Sequence, residues 1–177
     1  MIVACSPYMH SDPPLIVTLL LDEESVAFFN VLRKKYFPPA LNFLAAHLTL
    51  FHHLPSGNAS IEKNLETWSQ EQAILSLQVT AVKCIGRGVA YKMESKSLLQ
   101  LHKQMQQKWE PWLTPQDKQT LWPHITVQNK VSAVEAKHTL TVLQASFQPF
   151  TSYGLGFSLW AYEGGPWRFL HNFLFAQ

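Results

Sequence analysis

Cysteine is scarce in this chain of 177 residues: there are two, Cys5 and Cys84. Neither sits in a CxxC or a metal-ligand spacing. A disulfide framework, a zinc cluster and a dithiol redox centre are therefore excluded as organising features, and both read as free thiols of a reducing compartment. Charge is sparse too: Asp, Glu, Lys and Arg make up 15% of the chain, and the formal net charge is +2. No Lys/Arg block occurs, which argues against binding along a nucleic-acid duplex and leaves room for a local anion site. The longest aliphatic run, Leu15 to Leu21, falls far short of the roughly 20 residues that cross a bilayer. Met1 to Cys5 is apolar but has no basic n-region, and Pro7, Asp12 and Pro13 follow, so it does not read as a secretory signal. The expectation is a soluble, cytoplasmic, monomeric protein with no membrane association.

Apolar material is plentiful. Hydrophobic residues make up 47% of the chain, enough for a well-buried core, and residues 1–177 suit one two-lobed domain sharing it. Residues 1–14 read as an irregular lead-in. Leu15–Leu21 suits a strand buried on both faces. Asp22-Glu23-Glu24-Ser25 opens a helix, Arg33-Lys34-Lys35 complement its C-terminal end, and Pro38-Pro39 stop it. Residues 43–54 form a second strand, and a helix capped by Ser60 runs to about Gln70. Strands at 73–85 and 89–93 flank the Gly86-Arg87-Gly88 reversal. Ser95 or Ser97 caps the next helix, which runs to Trp109. A strand at 121–129, a helix at 134–145 and a hairpin of 150–162 with 167–175 complete the chain.

Two of these strands carry the same pattern. His47-Leu48-Thr49-Leu50 and His124-Ile125-Thr126-Val127 are both His-apolar-Thr-apolar, 77 residues apart. With eight His and ten Thr in the chain, chance gives on the order of 0.1 such tetrapeptides, and two in well under about one chain in fifty. Both halves read strand, helix, His-Thr strand, helix, strand. That predicts a duplicated α+β fold: two lobes related by a pseudo-two-fold axis, with two antiparallel sheets meeting at a central cleft and helices outside.

Strand side chains alternate, so His and Thr of each copy share one face. Phe51 and His53 extend the first face; Gln128 and Lys130 extend the second if that strand stays extended. Two imidazoles facing each other, each beside a hydroxyl, make a phosphate site. Histidine titrates near neutrality, so one ring can serve as base and the other as acid in breaking a phosphodiester. Thr49 and Thr126 can donate to non-bridging oxygens. Neither a metal nor a cofactor is required. His52 and His53 point to opposite faces with no carboxylate or thiol at ligand spacing, so a metal site with His47 is not expected.

The paired motifs resemble those of the two-histidine (2H) phosphoesterase superfamily, and within it the bacterial 2′-5′ RNA ligase and cyclic phosphodiesterase group. The resemblance spans about residues 15–175, with its specific signal at 47–50 and 124–127. It implies hydrolysis of 2′,3′-cyclic phosphates on RNA ends or nucleotides, and reversible 2′-5′ joining. It also implies that His47 protonates the leaving 2′-oxygen while His124 activates water, with the roles reversed in joining. Members often carry Arg three residues after the second Thr. Asn129 stands there in this chain, and the neighbouring Lys130 is a point charge available to replace it.

Phe51 and Trp122 are candidates for stacking a base, with Tyr91, Trp160 and Tyr162 also near the cleft. Arg87 and Arg168 sit at hairpin turns and read as surface residues. His102, His138 and His171 read as surface or satisfied core residues, and Asp117 and Glu163 as solvated loop residues. Two other readings are compatible with the chain. One is a non-catalytic module that holds an RNA end or a nucleotide phosphate in the same cleft. The other is an unrelated α+β scaffold with an aromatic protein-binding surface.

Overall fold

The computed structural model describes residues 13–176; most of the expected lead-in over 1–14, with Cys5, lies outside them. Strand β1 (Leu15–Leu21) is followed by α1 (Glu23–Tyr36), β2 (Leu48–Leu54), α2 (Ala59–Glu71) and β3 (Leu75–Cys84). The second half repeats the series as β4 (Val89–Glu94), α3 (Lys96–Trp109), β5 (His124–Gln128), α4 (Ala133–Ser146) and β6 (Phe150–Tyr162), then adds β7 (Trp167–Leu174).

Helix starts follow their caps. The Asp22 carboxylate accepts from Ser25 N, and the Ser95 and Ser132 hydroxyls accept from Leu98 N and Glu135 N. The cap of α2 is Asn58, whose side chain accepts from Ser60 N, so Ser60 lies inside the helix it was expected to open. Both motif strands are shorter than the sequence predicts. Pro123 has no N–H to give to a ladder, and β5 starts just after it.

The strands run in the order β2-β1-β6-β3-β4-β5, with β7 on β6, and every pairing between them is antiparallel. Exchanging β1 with β4, β2 with β5 and β3 with β6 reverses this order into itself. The duplication read from the sequence is thus a symmetry of the fold. The last strand of each half crosses over to the other half: β6 pairs with β1, and β3 with β4. The thirteen-residue β6 pairs with β3 through its first residues and with β1 and β7 through its later ones. It therefore joins the two expected sheets into one curled sheet. β2 and β5, the motif strands, are its two edges, and the curl brings those edges into contact.

Phe29, Phe51, Trp109 and Phe157 are fully buried in a core to which both halves contribute. Burying such side chains is the main stabilising term. Among the described residues, no helix is long and apolar enough to cross a membrane.

Candidate active site

Each motif is wired to its backbone in the same way. His47 Nδ1–H donates to the carbonyl of Ala45 at 2.7 Å, and His124 Nδ1–H donates to the carbonyl of Trp122 at 2.7 Å. A carbonyl only accepts, so the bond places the neutral ring's proton on Nδ1 and leaves Nε2 as the basic nitrogen in both rings. In each case the acceptor lies two residues before the histidine, so the local backbone of each motif fixes the tautomer.

The two motifs meet crosswise. His47 and Thr126 line one groove, with Arg33, Asn129, Lys130, Tyr162 and Trp167. Thr49 and His124 line a second, with His52, Asp117 and Trp122. Both imidazoles and both threonines are half-buried. The rings lie near enough that a charge on His124 disfavours one on His47. Burial, together with repulsion from Arg33, His124 and His52, pushes His47 down to about 4 against the bond from Ala45. His124 is also lowered, by burial and by His52, despite its bond to Trp122. The unfolded chain thus takes up protons near the ordinary 6.5 that the folded rings refuse. This contribution to stability is intact above pH 6.5 and is lost as pH falls toward the folded values.

Strict alternation ends at the threonines. Val17 and Thr18 of β1 face Phe51 and Thr49, so Leu50 is an extra residue in β2. Val89 and Ala90 of β4 face Gln128 and Thr126, so Val127 is an extra residue in β5. A bulge follows each threonine and reverses the side chains next to it, and a second shift in β2, between Phe51 and Leu54, returns Leu54 to the core. Phe51 therefore leaves the expected site face. It is fully buried, stacked on His102 at 4.6 Å and edge-on to Trp109 at 5.0 Å, and cannot stack a base. Phe51→Ala is expected to cost about 3–5 kcal/mol of stability, read by denaturant melting, as for other core phenylalanines. His52 takes the place expected of His53 and faces the second groove. Gln128 turns inward to donate to the Thr139 hydroxyl at 2.9 Å.

β5 ends at Gln128, and Lys130 adopts a left-handed φ of 60° with its N–H on Asn129 Oδ1. The extended path expected to carry Lys130 onto the face of Thr126 does not form. Lys130 nevertheless reaches the rim of the His47 groove from this turn. Trp122 is 39% exposed and stacks on the His124 ring at 4.3 Å, which makes it a wall of the second groove. Tyr91 is buried; Tyr162 is exposed beside Trp167, whose ring lies 4.7 Å from that of His47. Arg87 and Arg168 are exposed at their turns, held by the carbonyl of Val131 and the carboxylate of Glu163.

Three features of the site escaped sequence reading. Arg33, taken for a helix-end charge, is 4% exposed; among the described residues its hydrogen bond is from Nη1 to the Thr126 carbonyl at 2.7 Å, while Nε is buried without a partner. The four-residue spacing from buried Phe29 was the available signal. Asp117 is buried rather than solvated, and bonds to the His52 and His53 backbone. His52 lines the second groove because of a bulge that nothing in the sequence marks. Among the described residues, no group of three His, Cys, Asp or Glu is arranged to hold a metal ion.

Comparison with known proteins places this arrangement. A model of the 2′-5′ RNA ligase superfamily matches residues 21–166. The chain resembles the crystal structure of E. coli LigT complexed with 3′-AMP at 20% identity and a TM-score of 0.57, over 94% of this chain and 99% of that one. For E. coli LigT complexed with NADP+ the values are 21%, 0.54, 94% and 99%. For TT0787 of Thermus thermophilus they are 18%, 0.65, 91% and 97%. A search of curated proteins gave no match. With most of its length matched by the family model, its two histidine-threonine strands included, the chain belongs to the 2′-5′ RNA ligase superfamily, that of the 2H phosphoesterases.

Proposed function

We propose that this protein is a metal-independent phosphodiesterase that opens 2′,3′-cyclic phosphate ends of RNA or nucleotides, with reversible 2′-5′ joining as a second use of the same site, a 5′-hydroxyl attacking phosphorus in place of water. The observation that carries the reading is the identical wiring of His47 and His124, each with Nε2 free for proton exchange beside the other motif's threonine. One imidazole takes a proton from water as its oxygen bonds to phosphorus. The other, protonated, gives its proton to the departing ribose oxygen. The Thr49 and Thr126 hydroxyls donate to the non-bridging oxygens, and Arg33 and Lys130 supply positive charge on the His47 side. A 2′-5′ linkage keeps the bond to O2′, so hydrolysis that mirrors joining expels O3′ and leaves a 2′-phosphate; expulsion of O2′ leaves a 3′-phosphate.

The test is turnover of a 2′,3′-cyclic nucleotide in excess chelator, followed by phosphorus NMR to identify the product. Because both rings of the free protein are held below 6.5, His47 at about 4, kcat/KM is expected to be bell-shaped with its maximum on the acid side of neutrality. A flat profile, or a maximum above about pH 7.5, counts against the two-imidazole mechanism. Asn129, in place of the arginine common in the family, favours a second reading, a module that binds without turnover. Under that reading nucleotide phosphates raise the melting temperature and no product forms.

A further inference from the structure

His52 has no part in the two-histidine scheme, yet its ring is held by a buried carboxylate. Its Nδ1 lies 3.1 Å from Asp117 Oδ1. The same carboxylate accepts the backbone N–H of His52 at 2.8 Å, that of His53 at 3.0 Å and the Thr114 hydroxyl at 3.2 Å. Asp117 is 3% exposed, and these donors outweigh its burial and keep its carboxyl below the usual range. It also occupies N–H groups of an edge strand that would otherwise be open to pairing.

The difference from the other two rings is the partner. His47 and His124 lean on neutral carbonyls, which suits rings that gain and lose a proton in each cycle. His52 leans on a carboxylate, which holds its ring in one orientation. A carboxylate accepts and does not donate, so Nδ1 carries a proton and Nε2 is the outward nitrogen. The His52 side chain is 47% exposed and shares its groove with Thr49, Trp122 and His124. Arg33 and Lys130 line the other groove and not this one.

We propose that His52, positioned by Asp117, is a binding site for a second phosphate of the substrate, one nucleoside away from the reacting phosphate. The proposal rests on the phosphodiesterase reading and narrows its substrate: a cyclic-phosphate end that carries a further phosphate is preferred over the bare nucleoside cyclic phosphate. That phosphate can be a 5′-monoester on a mononucleotide or the internucleotide diester of a longer RNA end. A charge-assisted hydrogen bond at a half-exposed site corresponds to a preference of about tenfold.

The experiment compares kcat/KM for three substrates: a nucleoside 2′,3′-cyclic phosphate, its 5′-phosphorylated form, and a dinucleotide ending in the cyclic phosphate. The wild-type protein is expected to prefer one or both phosphate-bearing substrates by about tenfold, and the arm that shows the preference identifies the source. His52→Asn and Asp117→Asn are each expected to bring the ratio toward one. A ratio does not depend on how much of a preparation is folded, so partial misfolding cannot imitate this result. Equal use of all three substrates by the wild type, or an undiminished preference in His52→Asn, overturns the proposal. If no substrate is turned over, the proposed activity is wrong, and the same three ligands compared by titration calorimetry decide the second-phosphate site by itself.

Discussion

Replacing His124 by Ala is expected to lower kcat on a 2′,3′-cyclic nucleotide by about 10²–10⁴, and His47→Ala by as much, because each removes one proton-transfer partner. The two losses are not expected to multiply in the double variant, since neither ring completes the reaction alone. Thr49→Ala and Thr126→Ala remove one donor to the phosphoryl group and are expected to cost about tenfold to a hundredfold. Folding is not at stake. Both rings are half-buried at the cleft, and each spends its structural bond on a carbonyl of its own segment. The variants are expected to melt near the wild-type temperature at pH 7. As pH falls from 6.5, to about 4 for His47→Ala, the two histidine variants should lose less stability than the wild type, because a ring that resists protonation has been removed. A His124→Ala protein with unimpaired turnover would remove the basis for the mechanism.

Arg33→Met is the second large effect, and its sign differs between two measurements. Binding of inorganic phosphate or a cyclic nucleotide is expected to weaken by tenfold or more, the value of a charged hydrogen bond out of bulk water. Stability is expected to hold or rise. The guanidinium is 4% exposed, burial lowers its own pKa, and among the described residues no carboxylate lines its groove. Its attachments are the Thr126 carbonyl and the face of Phe37 at 4.3 Å. Exchanging an unbalanced buried charge for a hydrocarbon of similar length is often neutral or stabilising, by about 1–4 kcal/mol. The His47 resonance should move toward the ordinary histidine range in Arg33→Met, because the arginine's repulsion is gone. Lower stability with unchanged phosphate affinity would make Arg33 a strut for β5 instead.

The two motifs and the element series were legible because they depend on short-range rules. Alternation puts His and Thr on one strand face. Acidic first turns, Ser caps and proline stops mark helices within a residue or two. Even the duplication could be read, since repeated local patterns imply repeated elements.

What the chain could not announce arises between elements. Whether β2 continues its alternation past Thr49 depends on β1 opposite, and the bulge there sends Phe51 into the core and His52 into the cleft. Arg33 enters the site because α1 docks on β5, a strand 93 residues farther along the chain. Asp117 is buried because the loop after α3 closes over the β2 edge. The sequence by itself determined the two His-Thr motifs, the strands that carry them and the helices around them. Tertiary packing decided which charges surround that pair, because a side chain's burial and partners are set by whatever surface folding brings against it.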